Sequence, residues 1–183
     1  MTRLSPRDWG LVSATGALLL DQLSKAWILY GLGLYQPPDA AAPAREIALA
    51  PFFNLVMVWN RGVSYGLFPA HGPLGTALLA LFSLIAVIGL GWWLWRAHST
   101  ALAVGLGLVI GGALGNLVDR LIYGQVADFF HFYIHGYHWY VFNIADCAIT
   151  FGVAALLYDA LLRPEHRVPA QQPRGTPGVT DVE

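Results

Sequence analysis

The chain has 183 residues, of which 56% are hydrophobic and only 11% charged, with a formal net charge of −1 and a mean hydropathy of +0.54. Globular proteins carry roughly 25% charged residues, so this chain has too few to cover a soluble surface, which excludes disorder, a coiled coil and an ordinary soluble enzyme. The near-neutral charge argues against a nucleic-acid partner held by counterion release, and the single cysteine, Cys147, leaves no intramolecular disulfide or multi-thiolate metal site.

Four apolar segments approach the ~20 residues needed to cross the hydrocarbon of a bilayer. The predicted fold is an all-α membrane protein of four transmembrane helices, with a small extracytoplasmic β-containing segment between helices 1 and 2. Helices are expected because lipid cannot satisfy open backbone groups, and the alternating strands of a membrane barrel are absent. The first segment, about Trp9 to Leu34, follows Arg3 and Arg7 and reads as a retained signal-anchor helix, since further spans come after it. Residues 31–72 lie outside. They begin as a Pro/Ala-rich loop and continue through Phe52–Phe68 as a strand, a turn at Asn60-Arg61-Gly62 and a second strand. The second and third segments, Pro73 to Trp95 and Ala101 to Val118, carry no charge. Gly124 to His138 reads as a second outer loop, and the fourth segment runs from Trp139 to Leu162. Residues 1–162 make one domain; 163–183, with four prolines and few apolar residues, read as a disordered cytoplasmic tail.

With four spans, Arg3 and Arg7, then Arg96, then Arg163, Arg167 and Arg174 share one side. The positive-inside rule puts that side, and both termini, in the cytoplasm. Trp92, Trp93 and Trp95 suit the cytoplasmic interface, and Trp139 and Tyr140 the outer one.

Ionisable residues inside a span are expensive and need a reason. Asp21 and Lys25 are spaced i,i+4 and can pair, either as a structural bridge or as part of a site. Gly107, Gly111 and Gly115 recur every four residues, which suits close helix packing. Gly112, Asn116 and Asp119 form a small polar stripe beside Arg120, and Asp119 suits a bracing network as well as it suits chemistry. Asp128 is flanked by apolar residues. Asp146 is expected ~10 Å into the fourth helix, counting from Trp139 at ~1.5 Å per residue, on one face with Asn143 and Thr150. Two carboxylates at a wet–dry boundary can share one proton, one serving as base and one as acid, and this reading is preferred to two buried braces. Cys147 has no evident base, and His131, His135 and His138 form no recognisable metal set.

These motifs resemble bacterial lipoprotein signal peptidase, or signal peptidase II, a family of intramembrane aspartyl proteases. They are Asp21-Gln22-Leu23-Ser24-Lys25, Asn54, Asn60-Arg61-Gly62, the run Gly111 to Arg120, Gly124 to Asp128-Phe129, and Phe142-Asn143-Ile144-Ala145-Asp146. The resemblance implies catalytic roles for Asp128 and Asp146. It implies binding or supporting roles for Asp21, Lys25, Asn54, Asn60, Gly62, Asn116, Asp119, Arg120 and Asn143. It implies a diacylglyceryl-prolipoprotein substrate cut just before its lipidated cysteine, membrane lipid as surroundings, no nucleic acid, no metal or organic cofactor, and a functional monomer in the bacterial inner membrane. Where the family often has Ala-Ala-Phe after this motif, Val63-Ser64-Tyr65 stand here, which bears on fine substrate preference. The competing reading is a small proton-coupled carrier or channel. That would need polar residues through the whole membrane, whereas the cytoplasmic halves of spans two and three are apolar. A lipid phosphotransferase would need an acidic metal cluster, which Asp119, Asp128 and Asp146 do not supply by their spacing.

Overall fold

The computed structural model describes residues 4–38, 40, 44–62 and 72–162. Both the 163–183 tail and Val63-Ser64-Tyr65 lie outside these residues.

Helix α1 (Pro6–Ala26) starts where Ser5 and Asp8 cap each other: the Ser5 Oγ accepts the Asp8 N–H, and the Asp8 Oδ2 accepts the Ser5 N–H at 2.8 Å. A π-helical turn, Trp27–Gly31, extends it. Strands β1 (Glu46–Ala50) and β2 (Phe53–Asn60) follow, then α2 (Gly72–Trp95), α3 (Thr100–Tyr123), β3 (Val126–Ile134), β4 (Tyr137–His138) and α4 (Ile144–Leu162). Ser99 caps α3 by accepting the Leu102 N–H, and Gly124 ends it at φ +75°, a left-handed conformation that suits glycine.

Three helices among the described residues, α2, α3 and α4, are long and apolar enough to cross a membrane. Helix α1, with Asp21 and Lys25 buried along one face, falls short by composition. Helix α3 is the centre of the bundle, packed between α1 and α4 with α2 on its flank. The glycine repeat makes this possible. A Cβ on Gly107, Gly111 or Gly115 would run into Gly10, Ala14 or Asp21 of α1, so the packing reading of these glycines holds. At one end of the bundle Arg7 stacks on Trp95, and Ser99 donates to the Asp159 carboxylate at 2.8 Å. The sheet covers the other end.

The sheet is antiparallel in the order β1-β2-β3-β4 and differs from expectation in two ways. β2 is the first strand expected before Asn60-Arg61-Gly62, but β1, joined to it by a turn at Pro51-Phe52, lies in the stretch read as a Pro/Ala-rich loop, and the second strand expected after that motif lies outside the described residues. The segment read as an outer loop, 124–138, contributes β3 and β4. Its strand signal is hidden because Val126, Ala127, Asp128 and Phe129 are all buried, which erases the inside–outside alternation. A core of Ile28, Leu29, Leu34, Leu55, Met57, Ala127 and Phe129 fixes the sheet to the end of α1.

The start of α4 also differs. Trp139 to Asn143 is not helical: Phe142 bridges to Phe130, its carbonyl accepting from the Phe129 and Phe130 N–H groups at 3.1 and 2.9 Å. Hydropathy extends the helix through these aromatics, but their backbone bonds to β3 instead. Asp146 therefore sits in the first turn of α4 rather than deep within it.

Candidate active site

Strand alternation turns Ala127 and Phe129 into the core and directs Asp128 to the opposite face. There it meets two amides. The Asn60 Nδ2 donates to its Oδ2 at 3.0 Å, and the Asn143 Nδ2 to its Oδ1 at 2.6 Å. A β-bulge between Leu55 and Val58 sets the register that allows the first contact: Val58 lies opposite Asp128 and Asn60 opposite Val126, so Asn60 is the diagonal neighbour of Asp128. Asn143 links the two carboxylates. Its Oδ1 accepts the Asp146 N–H at 3.0 Å, capping α4, while its amide holds Asp128. Asn116 of α3 completes the set by donating to the Asp146 Oδ1 at 3.2 Å and accepting from Asn143 at 3.1 Å. Both aspartates are buried, and the charge of Asp146 acts on Asp128. Burial, then the neighbouring Asp146, push the Asp128 carboxyl up to about 8, against the lowering effect of the Asn60 and Asn143 amides.

A second polar cluster lies behind the first. The Lys25 ammonium bridges Asp21 and Asp119, 2.8 Å from each, and reaches the Asn116 Oδ1 at 3.3 Å. Each of these carboxylates also holds a backbone amide next to one of the pair. Asp119 accepts the N–H of Ala127, the neighbour of Asp128, at 3.0 Å. Asp21 accepts the N–H of Ala145, the neighbour of Asp146, at 2.9 Å. The triad thus fixes the backbone on which both carboxylates stand. Among the described residues, every buried side-chain nitrogen and oxygen has a hydrogen-bond partner, as a water-poor interior demands. Arg120 spans the site's edge: it donates to the Gly62 carbonyl at 2.8 Å and the Asn116 carbonyl at 3.3 Å, and its charge acts on Asp128 and Asp146.

Residues 13–162 match the family model described as signal peptidase (SPase) II. The chain belongs to the signal peptidase II family. Among its relatives is a lipoprotein signal peptidase of Methylorubrum extorquens, 50% identical over 169 residues, covering 92% of this chain and 94% of that one. Another, from Rhodopseudomonas palustris, is 47% identical over 163 residues, covering 87% and 95%. A solved structure described as a bacterial membrane enzyme, determined in meso at 2.3 Å resolution, superposes with a TM-score of 0.67 at 26% identity, covering 87% of this chain and 93% of that one. The protein is a membrane-integral protease, an aspartic peptidase of a family that removes signal peptides from prolipoproteins. That decides against the carrier and phosphotransferase readings.

Of the residues singled out from sequence, Asp21, Lys25, Asn60, Gly62, Asn116, Asp119, Arg120, Asp128, Asn143 and Asp146 converge here. Asn54 does not. It faces Tyr133, whose hydroxyl donates to it at 3.1 Å, and pairs with His131, three residues or ~10 Å along β3 from Asp128. Gln22 belongs to the site and was not singled out: its amide donates to Asp21, to Asp119 and to the Gly115 carbonyl at 3.1–3.2 Å. A polar side chain between Asp21 and Leu23 in an otherwise apolar segment was the available signal. Cys147 is partly buried and turned from the pair by its place on α4, while His131 and His138 stack on the sheet with ring nitrogens 3.2 Å apart.

Proposed function

We propose that this protein is a membrane-embedded aspartic endopeptidase that removes the signal peptide from diacylglyceryl-modified prolipoproteins, cutting just before the lipidated cysteine with Asp-activated water. One observation carries the reading: two buried carboxylates, on β3 and on the first turn of α4, are clamped by Asn60, Asn116 and Asn143, while the nearby ammonium of Lys25 bridges two other aspartates.

The pair shares one proton, written here on Asp128, whose ionised form is disfavoured by burial and by the charge of Asp146. Asp146 takes a proton from water as the water oxygen adds to the scissile carbonyl carbon. Asp128 protonates the carbonyl oxygen, giving a tetrahedral diol. The diol collapses as the carbon–nitrogen bond breaks, and the proton held by Asp146 passes to the leaving cysteine nitrogen. Asp128 takes back a proton from one diol hydroxyl as the new carboxyl group forms, which leaves Asp128 protonated and Asp146 ionised, as at the start. No metal or organic cofactor enters these steps.

The proposed topology has four spans, α1 included, in the bacterial inner membrane with both termini in the cytoplasm. Arg7 and Arg96 at the end of the bundle away from the sheet support it under the positive-inside rule. The pair and the sheet then lie near the extracytoplasmic face, where water and a signal-anchored substrate meet. The protein works as a monomeric protease domain over residues 1–162. The test is cleavage of a synthetic diacylglyceryl prolipoprotein by the purified protein. Cleavage is expected to persist in EDTA and to disappear in Asp128→Asn and in Asp146→Asn, both retaining the wild-type circular dichroism spectrum. Turnover by either folded variant, or restoration by a divalent ion after EDTA, refutes the mechanism.

A further inference from the structure

A groove of about 760 Å³ runs between the start of α2 and the end of α3. That size is typical of a small-molecule site. Its chemistry changes along its length. Arg61, Arg120 and Thr76 give one part cationic and hydroxyl groups, while Ala77, Ala80 and Leu121 line the rest with hydrocarbon. The Thr76 Oγ1 donates to the Gly124 carbonyl at 3.0 Å and ties the two helices together there. The alanines keep the groove open, since a longer side chain at either position would project into it. The face of α2 away from α3 is bare, with Leu74, Leu78 and Phe82 exposed, so the groove borders the surface that α2 offers to lipid.

The groove also adjoins the site. Arg120 is a wall of the groove and at the same time donates to the main-chain carbonyl of Asn116, whose side-chain amide holds Asp146. A second hollow of about 650 Å³, lined by Phe52, Phe132, Tyr137 and Trp139 on the outer sheet, shares no residue with the two carboxylates' hydrogen-bonded cluster.

We propose that the groove between α2 and α3 is the subsite for the lipid arm of the substrate, with the ester oxygens of the diacylglyceryl group at Arg61 and Arg120 and an acyl chain along Ala77, Ala80 and Leu121. This rests on the reading of the protein as a peptidase acting on diacylglyceryl-modified prolipoproteins. The fit is chemical. An ester-bearing glyceryl group presents acceptor oxygens to cationic donors, and the chain beyond it needs an apolar wall open to the bilayer. The lipid is attached to the residue directly after the scissile bond, so its binding place must adjoin the catalytic pair, as this groove does through Arg120. Ala77 and Ala80 are then the residues that set acyl-chain preference.

The experiment compares two synthetic prolipoprotein peptides, identical except that the cysteine carries either a dipalmitoylglyceryl or a dibutyrylglyceryl group. Each is cleaved by the full-length protein in the same nanodiscs. Wild type is expected to favour the long-chain peptide in kcat/KM by at least about tenfold. Filling the groove with Ala80→Leu or Ala77→Phe should bring that ratio close to one through a loss on the long-chain peptide alone. Cleavage of the short-chain peptide serves as the internal control for folding and for an intact catalytic pair. Ala80→Leu places a good helix former on a half-buried face, so it is the variant to make first. A chain-length ratio unchanged from wild type in both variants overturns the subsite. So does an equal loss on both peptides. Failure of wild type to cleave either peptide overturns the underlying activity instead, which separates the two failures.

Discussion

Asp128 holds its proton to about pH 8, where an ordinary aspartate has lost it near 4, because burial and the charge of Asp146 disfavour its ionised form. Two consequences follow, with the same sign. Between these values the folded chain binds a proton at Asp128 that the unfolded chain has released. Stability therefore falls as pH rises, by about 1 kcal/mol for each unit, and the contribution is fully present only below about pH 4. The loss is complete once Asp128 ionises in the folded protein, and several kcal/mol is its upper bound. The proposed mechanism needs the same proton, so the single-turnover rate should pass through a maximum and fall through about pH 8, each limb belonging to the coupled pair rather than to one residue. The assay is single-turnover cleavage of a diacylglyceryl peptide from pH 5 to 10, alongside thermal unfolding of wild type and Asp128→Asn in one detergent. The variant should be inactive yet lose less stability than wild type between pH 5 and 9, because an amide has no proton to lose. A rate still rising at pH 10, or equal stability profiles for the two proteins, refutes the shared proton, and Cys147 becomes the next nucleophile to test.

Lys25→Met should destabilise the fold by about 3–5 kcal/mol, because it leaves Asp21 and Asp119 buried without their cation; a thermal midpoint unchanged from wild type would contradict the triad. Asn143→Ala removes the cap of α4 and the amide on Asp128 together, so it should cost about 1 kcal/mol of stability and 10-fold or more in kcat. Asn143→Asp keeps the cap but sets a third buried carboxylate against Asp128 in place of a donor, so neither stability nor activity should recover; recovery of both would show that only the cap matters. Arg120→Ala should reduce kcat/KM by at least tenfold, whereas Arg96→Ala, whose guanidinium stacks on Trp92 at the far end of the bundle, should leave it within about twofold. Equal effects would remove Arg120 from the site's edge.

Much of this protein is legible in its sequence because the bilayer is a demanding solvent. Each uncharged run of about 20 residues must bury its backbone polar groups in a helix, so α2 and α3 are readable from composition alone. The cost of charge in hydrocarbon makes Asp21, Lys25, Asp119 and Asp146 conspicuous, and the four-residue glycine repeat announces a close helix contact. Division of labour among those charges is another matter. Asp21 and Asp119 differ from Asp128 and Asp146 by their partners, and the partners come from afar: Lys25 reaches Asp119 from another helix, and Asn60 meets Asp128 across a bulged strand pair. No local periodicity encodes those distances. The same reason explains Asn54, which has the residue type of a site amide but sits where the register pairs it with His131, and Gln22, whose three acceptors include two from α3. Strand β3 and the late start of α4 were decided by backbone hydrogen bonds to Phe142, a tertiary choice that hydropathy cannot register because extended and helical aromatics are equally apolar. Sequence determined that acids gather at one end of a membrane bundle and already pointed to Asp128 and Asp146; only the packing of α1, α3, α4 and the sheet decided what each acid touches, Lys25 for Asp21 and Asp119, side-chain amides for the other two.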